Sequence, residues 1–151
     1  MAYENTEVAV SKSQDAIRRL IYSHRGTGLM LLSQPPREGF EAMVELDKLP
    51  YHIRVMATAR TIDKHGKHWR VRSQSMMESL VEQENRRVWR VLYWHLKAMF
   101  EAADAGVIDI RDIIMPYVVL RDGLTLADHI KPQMASLMTT DPSRLLTGGV
   151  Q

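Results

Sequence analysis

Six cations fall within 19 residues: Arg54, Arg60, Lys64, Lys67, Arg70 and Arg72, opposed only by Asp63. Three more, Arg86, Arg90 and Lys97, recur at helical spacing beside Tyr93 and Trp94. Clustered lysine and arginine suit phosphate, because each neutralised phosphate releases a condensed counterion. Neighbouring aromatic rings add stacking and cation–π attraction, which is how single-stranded nucleic acid is gripped. These nine residues are the candidate nucleic-acid-binding set. The competing use is internal: Arg86 and Arg90 at i, i+4 from Glu82 and its helix neighbours would form ion pairs along their own helix.

Other chemistry is thinly represented. His65 and His68 could begin a metal site, but such a site needs three or four ligands and Asp63 is the only carboxylate nearby. Asp104, Asp109 and Asp112 could hold a magnesium ion in a nuclease, yet their spacing matches no nuclease signature and helix capping accounts for them. His95 falls on the apolar side of its helix, where a core histidine bonded to a carbonyl or carboxylate is expected. No nucleophile elbow, phosphate-binding loop or dinucleotide fingerprint is present. The chain has no cysteine, which excludes a thiol nucleophile, a thiolate zinc site and a disulfide scaffold. No catalytic residue, metal or cofactor is expected.

The elements that must carry these residues can be read from periodicity. Ser11 to Gln14 has the form of a capping box, and Ile17, Leu20 and Ile21 make one helical stripe that Gly26 or Gly28 would end. Leu29 to Ser33 is a short apolar strand. Pro35 to Gly39 is a turn. Phe40, Ala42, Val44 and Leu46 alternate with Glu41, Met43 and Glu45, which is a half-buried strand. A turn at Asp47 to Pro50 leads to a third strand, with Tyr51, Ile53, Val55 and Ala57 inward and Arg54 outward. Trp69 and Val71 alternate with Arg70 and Arg72, and predict a fourth. Ser75 to Glu78 predicts a second capping box, opening a long helix that ends at Gly106. Its apolar face runs through Met77, Val81, Val88, Leu92, His95 and Met99, widened by Trp89, Leu96 and Phe100. A short helix near Asp109, a strand over Tyr117 to Leu120, a turn at Asp122-Gly123 and a helix capped by Thr125 follow. Pro132 kinks or restarts the chain, and residues 143–151 read as a loosely held tail.

The expected architecture is one α+β domain: an antiparallel sheet of three to four strands packed on one long helix, with short helices at both ends. The 151 residues suffice to bury about two-thirds of the unfolded surface. The net charge of +2 conceals a basic centre, since residues 51–100 carry ten basic and four acidic side chains. Met1-Ala2-Tyr3-Glu4 is not the start of a signal peptide. No apolar run approaches the ~18 residues of a spanning helix, so a cytoplasmic protein without a membrane partner is expected.

Four segments have a family resemblance. They are Arg86-Arg87-Val88-Trp89-Arg90, Lys97 to Ala102, Gly106-Val107-Ile108, and Pro116 to Gly123 with Leu126. Together they resemble a family of small uncharacterised proteins of tailed bacteriophages and prophages, in which an Arg/Trp-rich helix precedes a short acidic helical segment and a tight turn. The chain departs from that turn at Arg121, where the family has proline, and at Leu124, where it has arginine. The resemblance spans about 45 residues and brings no catalytic residues. It implies a phage-type accessory protein working inside the bacterial host cell; with the basic residues, the expected function is non-enzymatic binding of nucleic acid or a nucleic-acid-processing assembly. The alternative it leaves open is a protein that binds and inhibits a host enzyme or defence complex, using its acidic C-terminal third.

Overall fold

A computed structural model describes residues 3–139 and 141; the tail expected over 143–151 lies outside them. Helix α1 (Val10–Ser23) leads into three strands, β1 (Gly26–Gln34), β2 (Arg37–Leu46) and β3 (Leu49–Thr58). They form an antiparallel sheet in the order β1-β2-β3. The long helix α2 (Gln74–Asp104) follows, and then three short helices: α3 (Ile110–Ile114), α4 (Leu126–Ile130) and α5 (Met134–Leu137). The architecture is the α+β arrangement that the periodicity predicts.

Both hairpins follow from turn chemistry. Asp47 and Lys48 adopt positive φ angles of 49° and 65°, the left-handed pair that suits the right-handed twist of flanking strands. Pro35-Pro36, joined by a cis peptide bond, turns β1 into β2. Antiparallel register pairs Phe40 with Val55 and Ala42 with Ile53 on one side, and Glu41 with Arg54 on the other. The inner face therefore holds Phe40, Ala42, Val44, Ile53 and Val55, all buried against Ile17 and Ile21 of α1 and Val88, Trp89, Leu92, Leu96 and Phe100 of α2. The outer face carries Leu32, Gln34, Arg37, Glu41, Arg54, Met56 and Thr58. The segment after α3 returns over β3. The Val119 amide donates to the His52 carbonyl at 2.8 Å, and Val118 bridges Ile53.

Several local expectations are corrected. Helix α1 starts at Val10 after Ala9, with no side-chain cap, and Ser13 of the supposed capping box is fully buried. His24 caps its end and Arg25 takes the positive φ of 66°. Gly26 is instead a close-approach glycine, because a Cβ there would collide with the side chain and carbonyl of Ile21. Helix α2 is capped by Ser73, whose hydroxyl accepts the Met76 amide at 3.3 Å, not by Ser75. Its 31 residues make about 46 Å of helix, more than a three-stranded sheet can cover. Its first buried residue is thus Glu84; Met77 is half-buried and Val81 exposed. His95 is exposed, with Nε2 2.8 Å from the Tyr117 hydroxyl. The predicted fourth strand is a 3₁₀ turn, Lys67–Trp69, followed by one isolated His65–Val71 bridge. Alternation alone could not make Trp69-Arg70-Val71-Arg72 a strand, because no free sheet edge receives it.

Candidate nucleic-acid interface

The nine candidate cations separate into three groups by what holds them. The first group is bound by carboxylates. Arg54 projects from the outer face of β3 and donates from Nε to Glu41 at 2.6 Å and from Nη1 to the Gly123 carbonyl at 2.8 Å. Glu41 also meets His52 Nε2 at 2.8 Å. Arg60 donates to Glu84 from its amide at 3.2 Å and its Nε at 3.0 Å, and reaches Glu4 at 3.1 Å. Glu84 is shared with Arg87. Burial pushes the Glu84 carboxyl up, but hydrogen bonds from Arg87 and Arg60 outweigh it and hold it at about 2.

The second group lies on α2. Arg86 donates to Gln83 at 2.6 Å. Arg90 sits over the rings of Tyr93 and Trp94, at 4.6 and 5.5 Å from their centroids, and Lys97 lies 4.6 Å over Trp94. Lys97 also approaches Glu101 at 3.7 Å. Tyr3 stacks with Trp94 at 6.3 Å. The helix face therefore groups Arg90 and Lys97 around aromatic rings, as the spacing suggests, but those cations and Tyr3 already occupy the Trp94 ring. The internal pairing of Arg86 and Arg90 with Glu82 does not form.

The third group is the loop between β3 and α2. The Arg72 amide donates to the Lys64 carbonyl and the Gly66 amide to the Arg70 carbonyl, both at 2.8 Å. These two bonds close a miniature hairpin whose tip is Lys67–Trp69. His68 and Trp69 take positive φ angles of 58° and 57° there. Arg72 donates to the Asp63 carbonyl at 2.8 Å, and the Asp63 carboxylate accepts the His65 amide at 2.8 Å. That backbone bond is the main reason the Asp63 carboxyl lies below its usual range. Lys64, Lys67 and Arg70 are exposed, and their side chains make no hydrogen bond or ion pair among the described residues. Trp69 is 77% exposed, its ring beside the tilted imidazole of His65 at 4.8 Å.

Arg70 and Arg72 therefore do not share a strand face with Arg54, and Trp69 is not core. The display of Trp69 was missed because its alternation with Val71 imitates a buried strand; Val71 is itself 73% exposed. Among the described residues no group of three or more His, Asp or Glu could hold a metal ion. Asp104 meets His24 at 2.8 Å, and Asp109 caps α3 while pairing with Arg111 at 2.7 Å. The hydrogen bond from Arg111 holds the Asp109 carboxyl at about 2. Each of these two carboxylates thus has a local structural task. No described helix is long and apolar enough to cross a membrane.

What the fold defines is an α+β protein with a three-stranded antiparallel sheet, a long helix on its inner face and a helical arm returning over its outer face. No protein-family model, no curated protein and no solved structure matches the chain.

Proposed function

We propose that this is a non-enzymatic accessory protein that binds nucleic acid through the loop between β3 and α2. The observation that carries the reading is the exposed Trp69 ring on a hydrogen-bonded tip, flanked by Lys64, Lys67 and Arg70, which have no partners among the described residues. An aromatic face with free cations on either side suits a base stacked between contacts to flanking phosphates. Because the tip is held by backbone bonds, little ordering entropy opposes binding. Single-stranded nucleic acid fits best, since an unpaired base can reach the ring. The phage-type setting, inside a bacterial host cell, comes from the family resemblance of the α2 and Asp122-Gly123 segments.

The test is fluorescence-anisotropy titration with labelled single- and double-stranded DNA and RNA at low salt. The intact chain is expected to bind the single strands more tightly. The Lys64→Ala, Lys67→Ala, Arg70→Ala triple variant is expected to lose that binding while keeping its melting temperature. Absence of binding at low salt, or equal binding by the triple variant, overturns the proposal.

A second reading, a protein that inhibits a host enzyme or defence complex, has one observation in its favour. Met115, Ile130 and Met134 line an apolar groove of the C-terminal arm, and Leu137 and Met138 beside it in sequence are exposed as well. Exposed apolar clusters rimmed by polar groups are common at protein interfaces. Capture of a host protein that Met134→Glu abolishes, with no nucleic-acid binding, would favour this reading.

A further inference from the structure

The outer face of the sheet and the helical arm enclose a cleft of about 600 Å³. Sites for small organic ligands occupy roughly 300–1,000 Å³ and combine apolar walls with a few convergent polar groups. Leu32 and Met56, neighbours through Gly39 across the three strands, give the sheet wall an apolar surface. Leu124 and Pro116 supply apolar surface from the arm.

The charges in this cleft are unevenly used. Its two carboxylates are already committed. Glu41 accepts from His52 and Arg54, and Asp128 accepts the Thr125 amide at 3.0 Å in the capping box of α4. Two of its three cations are not. Arg37 at the start of β2 and Lys131 just after α4 are exposed, and neither makes a hydrogen bond or ion pair among the described residues. They line the cleft from two walls, Arg37 from the sheet and Lys131 from the arm. Arg54 is held rigidly between Glu41 and the Gly123 carbonyl. A guanidinium and an ammonium on two walls of one cleft leave unmet donors for an oxyanion, and the guanidinium can engage one bidentately.

We propose that this cleft binds a small organic oxyanion, a phosphate or carboxylate on an apolar or aromatic body. The anionic group would lie between Arg37 and Lys131, and the body against Leu32 and Met56. This site shares no residue with the Trp69 loop, so either assignment stands or falls without the other.

The experiment is amide-resolved NMR titration of the intact chain with four probes: phenyl phosphate, benzoate, benzyl alcohol and inorganic phosphate. One or both aromatic anions are expected to shift the Thr58, Leu124 and Thr125 amides with millimolar affinity; which does so separates phosphate from carboxylate. Benzyl alcohol and inorganic phosphate are each expected to bind about tenfold more weakly, having only half of the recognised chemistry. Arg37→Ala and Lys131→Ala should each weaken the aromatic anion about fivefold or more without lowering the melting temperature, since both side chains are exposed. Lys64→Ala should leave it unchanged. The proposal is overturned if neither aromatic anion shifts these amides, if benzyl alcohol or inorganic phosphate binds as well, or if the Arg37→Ala, Lys131→Ala double variant keeps full affinity.

Discussion

Glu84 is the residue on which the junction between loop and helix depends. Its side chain is only 3% exposed, and a carboxylate so buried persists only when its partners replace water. Arg60 and Arg87 do so from the loop and from α2. The ordinary carboxyl value is 4.5 and the folded value about 2, so the unfolded chain binds the proton more readily between those limits. Stability from this group is therefore complete above pH 4.5 and is lost as the pH falls towards 2, a difference on the order of 3 kcal/mol. Glu84→Gln is expected to destabilise by about 3 kcal/mol at pH 7, because the half-buried Arg87 loses its counter-charge, whereas Arg60 keeps Glu4. It should also flatten the fall in stability between pH 4.5 and 2, and urea denaturation across that range reads both. At Trp69 the expectation is reversed. Trp69→Ala should leave the melting temperature unchanged, since the ring buries almost nothing, and weaken single-strand binding about 5- to 100-fold, the loss of one stacked base. Trp69→Phe should restore part of it. A large fall in melting temperature with unchanged affinity would place Trp69 in the fold and not in the interface.

At the scale of elements, the caps of α2 separate what spacing can show from what it cannot. Ser73 and Ser75 both precede an apolar helical run, and only Ser75 has a glutamate three residues on. The backbone chose Ser73, which takes the extended conformation and receives the Met76 amide. Ser73→Ala is expected to cost about 1 kcal/mol and Ser75→Ala less than about 0.5 kcal/mol; chemical denaturation of the two variants checks the assignment. Strands β2 and β3 were legible because each alternates over a full strand length and each has a partner at the correct register. The same period of two at Trp69 to Arg72 misled, since two apolar residues without a sheet edge bury nothing. Thr125 with Asp128 and the Asp122-Gly123 turn were legible because their chemistry is local. The cleft was not, because Arg37 and Lys131 stand 94 residues apart in the chain and only the returning arm brings them to one cleft. The free cations were equally hidden: sequence shows how many charges there are, but not which find partners.

At the scale of the molecule, the basic centre is partly neutralised from every third of the chain. Glu4 and Glu41 from the first third, Glu84 from the middle and Glu101 from the last take up Arg60, Arg54, Arg87 and Lys97 between them. From the acidic end, Glu101 reaches Lys97 and the Gly123 carbonyl accepts from Arg54. This sorting has a measurable consequence in the salt dependence of binding. If all nine candidate cations met phosphates of a single strand, the slope of log affinity against log salt would be about −6. With Lys64, Lys67 and Arg70 alone it would be about −2. The internal contacts are formed before any ligand arrives. Exchanging those of Arg54, Arg60 and Lys97 for phosphate would take a partner from a carboxylate. Arg72, Arg86 and Arg90 would have to leave a carbonyl, Gln83 and aromatic rings. The shallower slope, about −2, is therefore expected from titrations across a range of sodium chloride concentrations. It should approach zero in the Lys64→Ala, Lys67→Ala, Arg70→Ala variant and stay near −2 in Arg90→Gln. A slope near −6 that Arg90→Gln reduces would instead mean that nucleic acid opens the ion pairs and spreads along α2.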